Sequence, residues 1–160
     1  LYKLSNDVIQ LHFPYRDYQL LAKIALQTMM KLGEAGKEAL FDTGKTFGAE
    51  LISSQLAKNI VKDARAEMTC EGELTILKRA STMAGFYPDF HVSDDLKEIE
   101  IGIHNCPFKE VAAQQPDVCN MHLAFLEGMF GSLFEDVRLT EKENMLNGCG
   151  SCTYHAVVTN

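Results

Sequence analysis

Five cysteines stand in a chain of 160 residues, an odd and high number for a protein of this size. Thiolates are nucleophiles, redox centres and soft metal ligands, so their spacing is the first thing to read. Four of them form C-x12-C-x29-C-x-x-C: Cys106, Cys119, Cys149 and Cys152. Cys106 follows an alternating segment and precedes Pro107, at or beside a predicted helix start. Cys119 lies in the first turn of the next predicted helix, after Pro116 and Asp117. Free N–H groups and the positive end of the dipole at a helix start favour thiolate, the form that binds metal. Cys149 and Cys152 flank Gly150 and can both point at one ion, as in zinc ribbons and iron–sulfur loops. The pattern predicts a complete set of four ligands, with Cys70 at an upstream helix start left as a core residue. Three other uses of these thiols stay open. Free cysteines are often small core hydrophobes. A disulfide is disfavoured without an export signal. A C-x-x-C redox pair belongs before a helix, whereas this one precedes a strand.

Other chemistry is thin. Gly44-Lys45-Thr46 looks like the tail of a phosphate loop, but Ala39 stands where the leading glycine is needed and the stretch is predicted helical. There is no G-x-S-x-G elbow and no H-E-x-x-H helix. The histidines (His12, His91, His104, His122, His155) are scattered, and Glu98 and Glu100 sit on the wet face of a strand. The chain is therefore not expected to be an enzyme.

Periodicity supplies the elements that must position the cysteines. Leu20, Leu21, Ile24, Ala25, Met29 and Leu32 recur at helical spacing between Asp17, a plausible N-cap, and the stop at Gly33 and Gly36. Two more helices are predicted, over about 37–60 and 71–85. Residues 86–92 then read as a strand, Ser93-Asp94-Asp95 as a turn, and Ile99, Ile101 and Ile103 alternate with polar residues. Residues 107–115 and 117–133 return to helix, Val137 and Leu139 mark a short strand, and the last strand covers 153–158. The order predicts an α+β domain: N-terminal helices packed on an antiparallel sheet with a helical insertion. The Met and Phe groups, Met29 with Met30 and Phe125 with Met129 and Phe130, read as core or as a dimer seam.

Composition bounds the rest. Fifteen basic residues against twenty-two acidic ones give a net charge of −7, which argues against a nucleic-acid surface within this chain. A domain of this length buries roughly 70% of its unfolded surface and needs no disulfide staples. No apolar run approaches the length of a membrane span, and no secretion signal is visible, so a cytoplasmic protein is expected. The chain opens on Leu1 and alternates through Tyr2-Lys3-Leu4-Ser5 like the end of a strand, which suggests a piece of something longer.

The stretch Asn105-Cys106-Pro107-Phe108, then Val118-Cys119, then Leu123, Leu126, Glu127 and Gly128, closing on Gly148-x-x-x-Cys152-x-Tyr154, resembles the C-terminal half of certain bacterial and archaeal transcription regulators. The group most like it is the iron–sulfur-binding repressors of cluster-assembly operons. The opening residues are similar to the last wing strand of the winged helix in such proteins. The same C-terminal stretch is similar to the 4-vinyl reductase domain, a small-molecule-binding fold. The resemblance implies that residues 1–14 end a winged helix-turn-helix and linker, and that 15–160 form a sensing and dimerising domain. It implies an iron–sulfur cluster or zinc on Cys106, Cys119, Cys149 and Cys152, a homodimer, and DNA contact only through the absent winged helix. Cys106 and Cys119 match the first two cluster ligands. The further cysteine that the regulators often carry near the position of Leu133 is missing, and the hairpin offers Cys149 and Cys152 instead. The alternatives are a small-molecule regulatory domain with incidental cysteines and a structural zinc site.

Overall fold

A computed structural model describes residues 14, 16–60 and 69–159. The expected wing strand and His12 lie outside these residues, as does nearly all of the expected linker. The elements run α1 (Tyr18–Met30), α2 (Glu34–Ile60), α3 (Cys70–Met83), β1 (Asp89–Val92), β2 (Glu98–Ile103), α4 (Lys109–Ala112), α5 (Asp117–Gly131), β3 (Val137–Glu143), a 3₁₀ turn (Met145–Asn147) and β4 (Cys152–Val158). The α+β architecture is therefore as expected.

The four strands form one antiparallel sheet in the order β1-β2-β4-β3. Its alternation follows the sequence. Ile99, Ile101 and Ile103 are buried opposite Ala156, Tyr154 and Cys152, while Glu98 and Glu100 face water. That burial sets the register, because a slip of one residue would expose all three isoleucines. Against the buried face lie Ile52 of α2, Leu77 and Ala80 of α3, and Leu126, Met129 and Phe130 of α5, all in one core.

Helices α2 and α5 share the most extensive contact in the molecule. A Cβ on Gly48 would collide with the Phe125 carbonyl, and one on Gly128 with the Lys45 carbonyl. The backbones thus touch without side chains between them. Gly44 and Gly48, one turn apart, form the packing face of α2, and the Gly44-Lys45-Thr46 string belongs to that contact.

Two expectations are corrected. The strand predicted from Phe86 starts only at Asp89. Tyr87 sits at φ +44° and Pro88 has no N–H to donate, so Phe86 leaves the ladder and becomes a fully buried core residue in a loop. The helix expected over 107–115 reduces to Lys109–Ala112, with turns on either side. Among the described residues no helix is long and apolar enough to cross a membrane.

A thiol and aromatic site between α5 and the sheet

Three of the four singled-out cysteines are delivered to one region by three different elements. β2 ends at Ile103, and the chain turns through His104–Asn105 to Cys106, whose sulfur accepts the Phe108 N–H and whose carbonyl accepts that of Lys109 at 3.2 Å. Cys119 is the third residue of α5, and its thiol hydrogen-bonds the side chain of Asn144. Cys152 opens β4 on the buried face. Its sulfur accepts the Met145 N–H at 3.4 Å and the hydroxyl of Tyr154. Cys149 stands apart, half-buried at the glycine turn, near enough to Cys152 to raise that thiol. Cys70 is half-buried against the core at the start of α3.

The helix-start argument predicts thiolates, and burial reverses it. Desolvation is the first cause of a raised pKa at Cys106, Cys119 and Cys152, and it carries Cys106 up to about 11. The thiols also raise one another: Cys152 and Cys119 act on Cys106, and Cys152 on Cys119. Glu141 adds to this at Cys119 and Cys152. All three are neutral S–H groups near pH 7. Among the described residues no group of three His, Cys, Asp or Glu side chains stands close enough to hold a metal ion. The donor chemistry suits a soft cation, but the positions as they stand do not assemble a centre.

The residue that completes the site is His122, one turn after Cys119 on α5. Its Nδ1 lies 3.8 Å from Cys106 Sγ. Its ring lies 4.8 Å from that of Phe86, 5.5 Å from Phe108 and 5.9 Å from Tyr154, centre to centre. Only 2% of it is exposed, and burial holds its pKa down to about 4, so the imidazole is neutral. Nε2 is buried with no hydrogen-bond partner among the described residues. Of the other described histidines, His104 pairs with Asp89 and His155 with Glu98 at the exposed side of the sheet. The three-residue spacing from Cys119 to His122 is the one sequence signal that marks His122, because it puts both on adjoining positions of a helix.

Asn144 and Glu141 join the site through an irregularity in β3, whose pairing with β4 shifts between Glu141 and Glu143. Asn144 caps the 3₁₀ turn by accepting the Leu146 N–H at 2.8 Å and donates to Glu141 at 3.1 Å. One buried amide thereby ties Cys119 to the turn that orients Cys152. No periodicity in the sequence announces such a kink.

Comparison with solved structures finds the same fold in proteins of little sequence likeness. A trafficking protein particle complex subunit 3 from Naegleria fowleri, covalently bound to palmitic acid, matches with a TM-score of 0.59 and 17% identity over 89% of this chain and 97% of that one. The phenol-responsive sensory domain of the transcription activator PoxR, bound to phenol, matches at 0.65 and 16% over 94% and 76%. A vinyl-4-reductase family protein from Methanocaldococcus jannaschii matches at 0.53 and 19% over 96% and 85%, which agrees with the expected 4-vinyl-reductase-like architecture. No curated protein sequence matches the chain. Residues 45–156, from the middle of α2 through nearly all of β4, match the family model described as methanogen output domain 1, and the chain belongs to that family.

Proposed function

We propose that this chain is a regulatory domain that senses a small neutral aromatic molecule at the Cys106–His122 site. The observation that carries this reading is the unpartnered Nε2 of His122, buried among Phe86, Phe108 and Tyr154. The Cys106 sulfur already accepts the Phe108 N–H, and its own S–H needs an acceptor, for which His122 Nδ1 is placed. That arrangement leaves the imidazole proton on Nε2, a donor without an acceptor. Leaving such a group unsatisfied costs about 1–3 kcal/mol, which an oxygen of a bound ligand would recover. The aromatic side chains offer faces and edges to a planar ring, and a site that keeps its own groups neutral disfavours a charged one. Phe86 and Tyr154 are fully buried against His122, so a ligand would enter only if the 84–88 loop, with Tyr87 at φ +44°, gives way.

The fold shared with a phenol-responsive sensory domain and the family's description as an output domain support a regulatory role. Protonated thiols beside a neutral imidazole suit binding better than nucleophilic catalysis, so the reading is non-enzymatic. Output would pass to an attached domain, the winged helix in the regulators that the sequence resembles. Thermal denaturation with a panel of phenols and aromatic carbonyl compounds tests the proposal. At least one should raise Tm of the wild-type chain and leave the folded His122→Phe variant unmoved. Equal stabilisation of both proteins, or none in either, would sink it.

The convergence of Cys106, Cys119 and Cys152 favours a second reading, in which these thiols hold zinc or an iron–sulfur cluster after side-chain rotation. Protein purified without oxygen should then contain metal, with a band at about 400 nm for a cluster. The metal should be lost in Cys119→Ser and Cys152→Ser, and less so in Cys149→Ser. Folded wild-type protein free of every metal ends this reading.

A further inference from the structure

Helix α1 has two apolar faces, and the described residues cover only one of them. Leu26, Met29 and Met30 are half-buried on the side toward the body of the protein. On the other side Leu20, Leu21 and Ile24 are 53%, 62% and 54% exposed, Leu32 in the turn after the helix is 63% exposed, and no residue of the helix is fully buried. Thr28 joins that outer face, with its hydroxyl already donated to the Ile24 carbonyl at 2.8 Å, so what it offers outward is its methyl group. A helix that is apolar on both sides is one that packs on both sides. Scattered surface leucines need no explanation, but several of them on one side of one helix do.

The charges say what fits there. Between Asp17 before the first turn and Lys31 after the last, the outer face carries no charged side chain. The two ends have opposite sign, and Ile24 lies midway between them. A second copy of this helix laid antiparallel would set Asp17 against the partner's Lys31 at both ends. It would set Leu20 against the partner's Thr28, and Ile24 against its own counterpart. The helix dipoles would oppose favourably in the same arrangement. Such self-complementary matching is what a twofold interface demands.

We infer that this chain forms a homodimer through α1, paired antiparallel with α1 of a second copy about a twofold axis at Ile24. The interface is independent of the His122 site, and its failure would leave the sensing proposal standing.

Analytical ultracentrifugation of the full chain tests it. The wild type should sediment as a dimer. Ile24→Glu and Ile24→Lys should each be monomeric, association falling by about a hundredfold or more, because each would bring like charges together at the axis. Circular dichroism should stay unchanged, since Ile24 is an exposed residue. Mixing the two variants should restore a dimer, which only self-apposition of position 24 explains. Met83→Glu, at an exposed site on α3, should leave the dimer intact. Lys31→Glu should weaken association about fivefold by facing Asp17, whereas a parallel pair would hardly notice it. A monomeric wild type overturns the inference. So does a dimer indifferent to Ile24→Glu, a mixture that stays monomeric, or a dimer untouched by Lys31→Glu.

Discussion

Helices α1 and α5 are similar in length and both rich in apolar residues, yet they are held in opposite ways. α5 buries seven residues, among them Val118, Leu126, Met129 and Phe130, and α1 buries none. α5 begins on Pro116 with no side-chain cap, whereas the Asp17 carboxylate of α1 accepts the Leu20 N–H at 2.8 Å. A helix fixed by tertiary packing can do without local end-capping. One that lies on the surface is held by local chemistry, and its spare apolar face is free for another surface. Apolar spacing therefore tells that a face will be covered without telling by what.

The sharpest way to break the packed side of this comparison is to part α2 from α5. Gly128→Val drives a side chain into the Lys45 carbonyl, backbone against backbone, where neither side can yield. A loss of about 4 kcal/mol or more is expected in urea denaturation. Gly131→Ala, three residues on with nothing near its Cβ, should be neutral or stabilising by up to about 1 kcal/mol. Should the two behave alike, contact between the backbones is not what holds α5.

Truncating a leucine separates the two helices next. Leu126→Ala, in the core, should cost about 3 kcal/mol by transfer and cavity terms. Leu21→Ala on α1 should change monomer stability by less than about 0.5 kcal/mol. Both are read from chemical denaturation at concentrations low enough to keep the chain monomeric. A costly Leu21→Ala in the monomer would mean that α1 is packed after all.

Much of this difference could be read from the sequence. The strand pattern of Ile99, Ile101 and Ile103 was plain because a period of two leaves one face wet, and the Asp17 cap was plain because capping is local. Cys106, Cys119 and Cys152 were identifiable by type and by their places at element ends. His122 was not, since its isolation from water depends on Phe86, Phe108 and Tyr154, which arrive from two loops and a strand. Asn144 was hidden for a similar reason: its role follows from a register shift between β3 and β4. The thiolate expectation failed at the same boundary, because helix starts can be read locally and burial cannot.

His122 carries the comparison into pH. Its folded pKa, near 4, lies below the ordinary histidine value near 6.5, so the unfolded chain binds the proton that the folded chain refuses. Stability from this source is fully present above about pH 6.5 and is lost as pH falls toward 4, up to about 3 kcal/mol in all. The acid limb of a Tm-against-pH curve should flatten in His122→Phe. An unchanged limb would place the acid sensitivity in the carboxylates instead.

The smallest effect is the most discriminating for α1. Asp17→Ala removes the one side chain shown to satisfy the N–H groups at the head of the helix, a change worth about 1 kcal/mol. In a helix tied into the core that loss would lower the stability of the whole domain. In α1 it should fall on local opening instead. Amides of the first turns should exchange about fivefold faster in Asp17→Ala, while those of α5 and β4 keep their protection and Tm barely moves. The contrast with Thr69, whose side chain accepts the Gly72 N–H at the head of α3, makes the point testable within one molecule. α3 buries Leu74, Ile76 and Leu77, so Thr69→Ala should lower Tm of the whole domain. If both cap deletions lower Tm equally, α1 belongs to the same cooperative unit as α3. Its outer face would then have to be explained without treating it as a separately held surface.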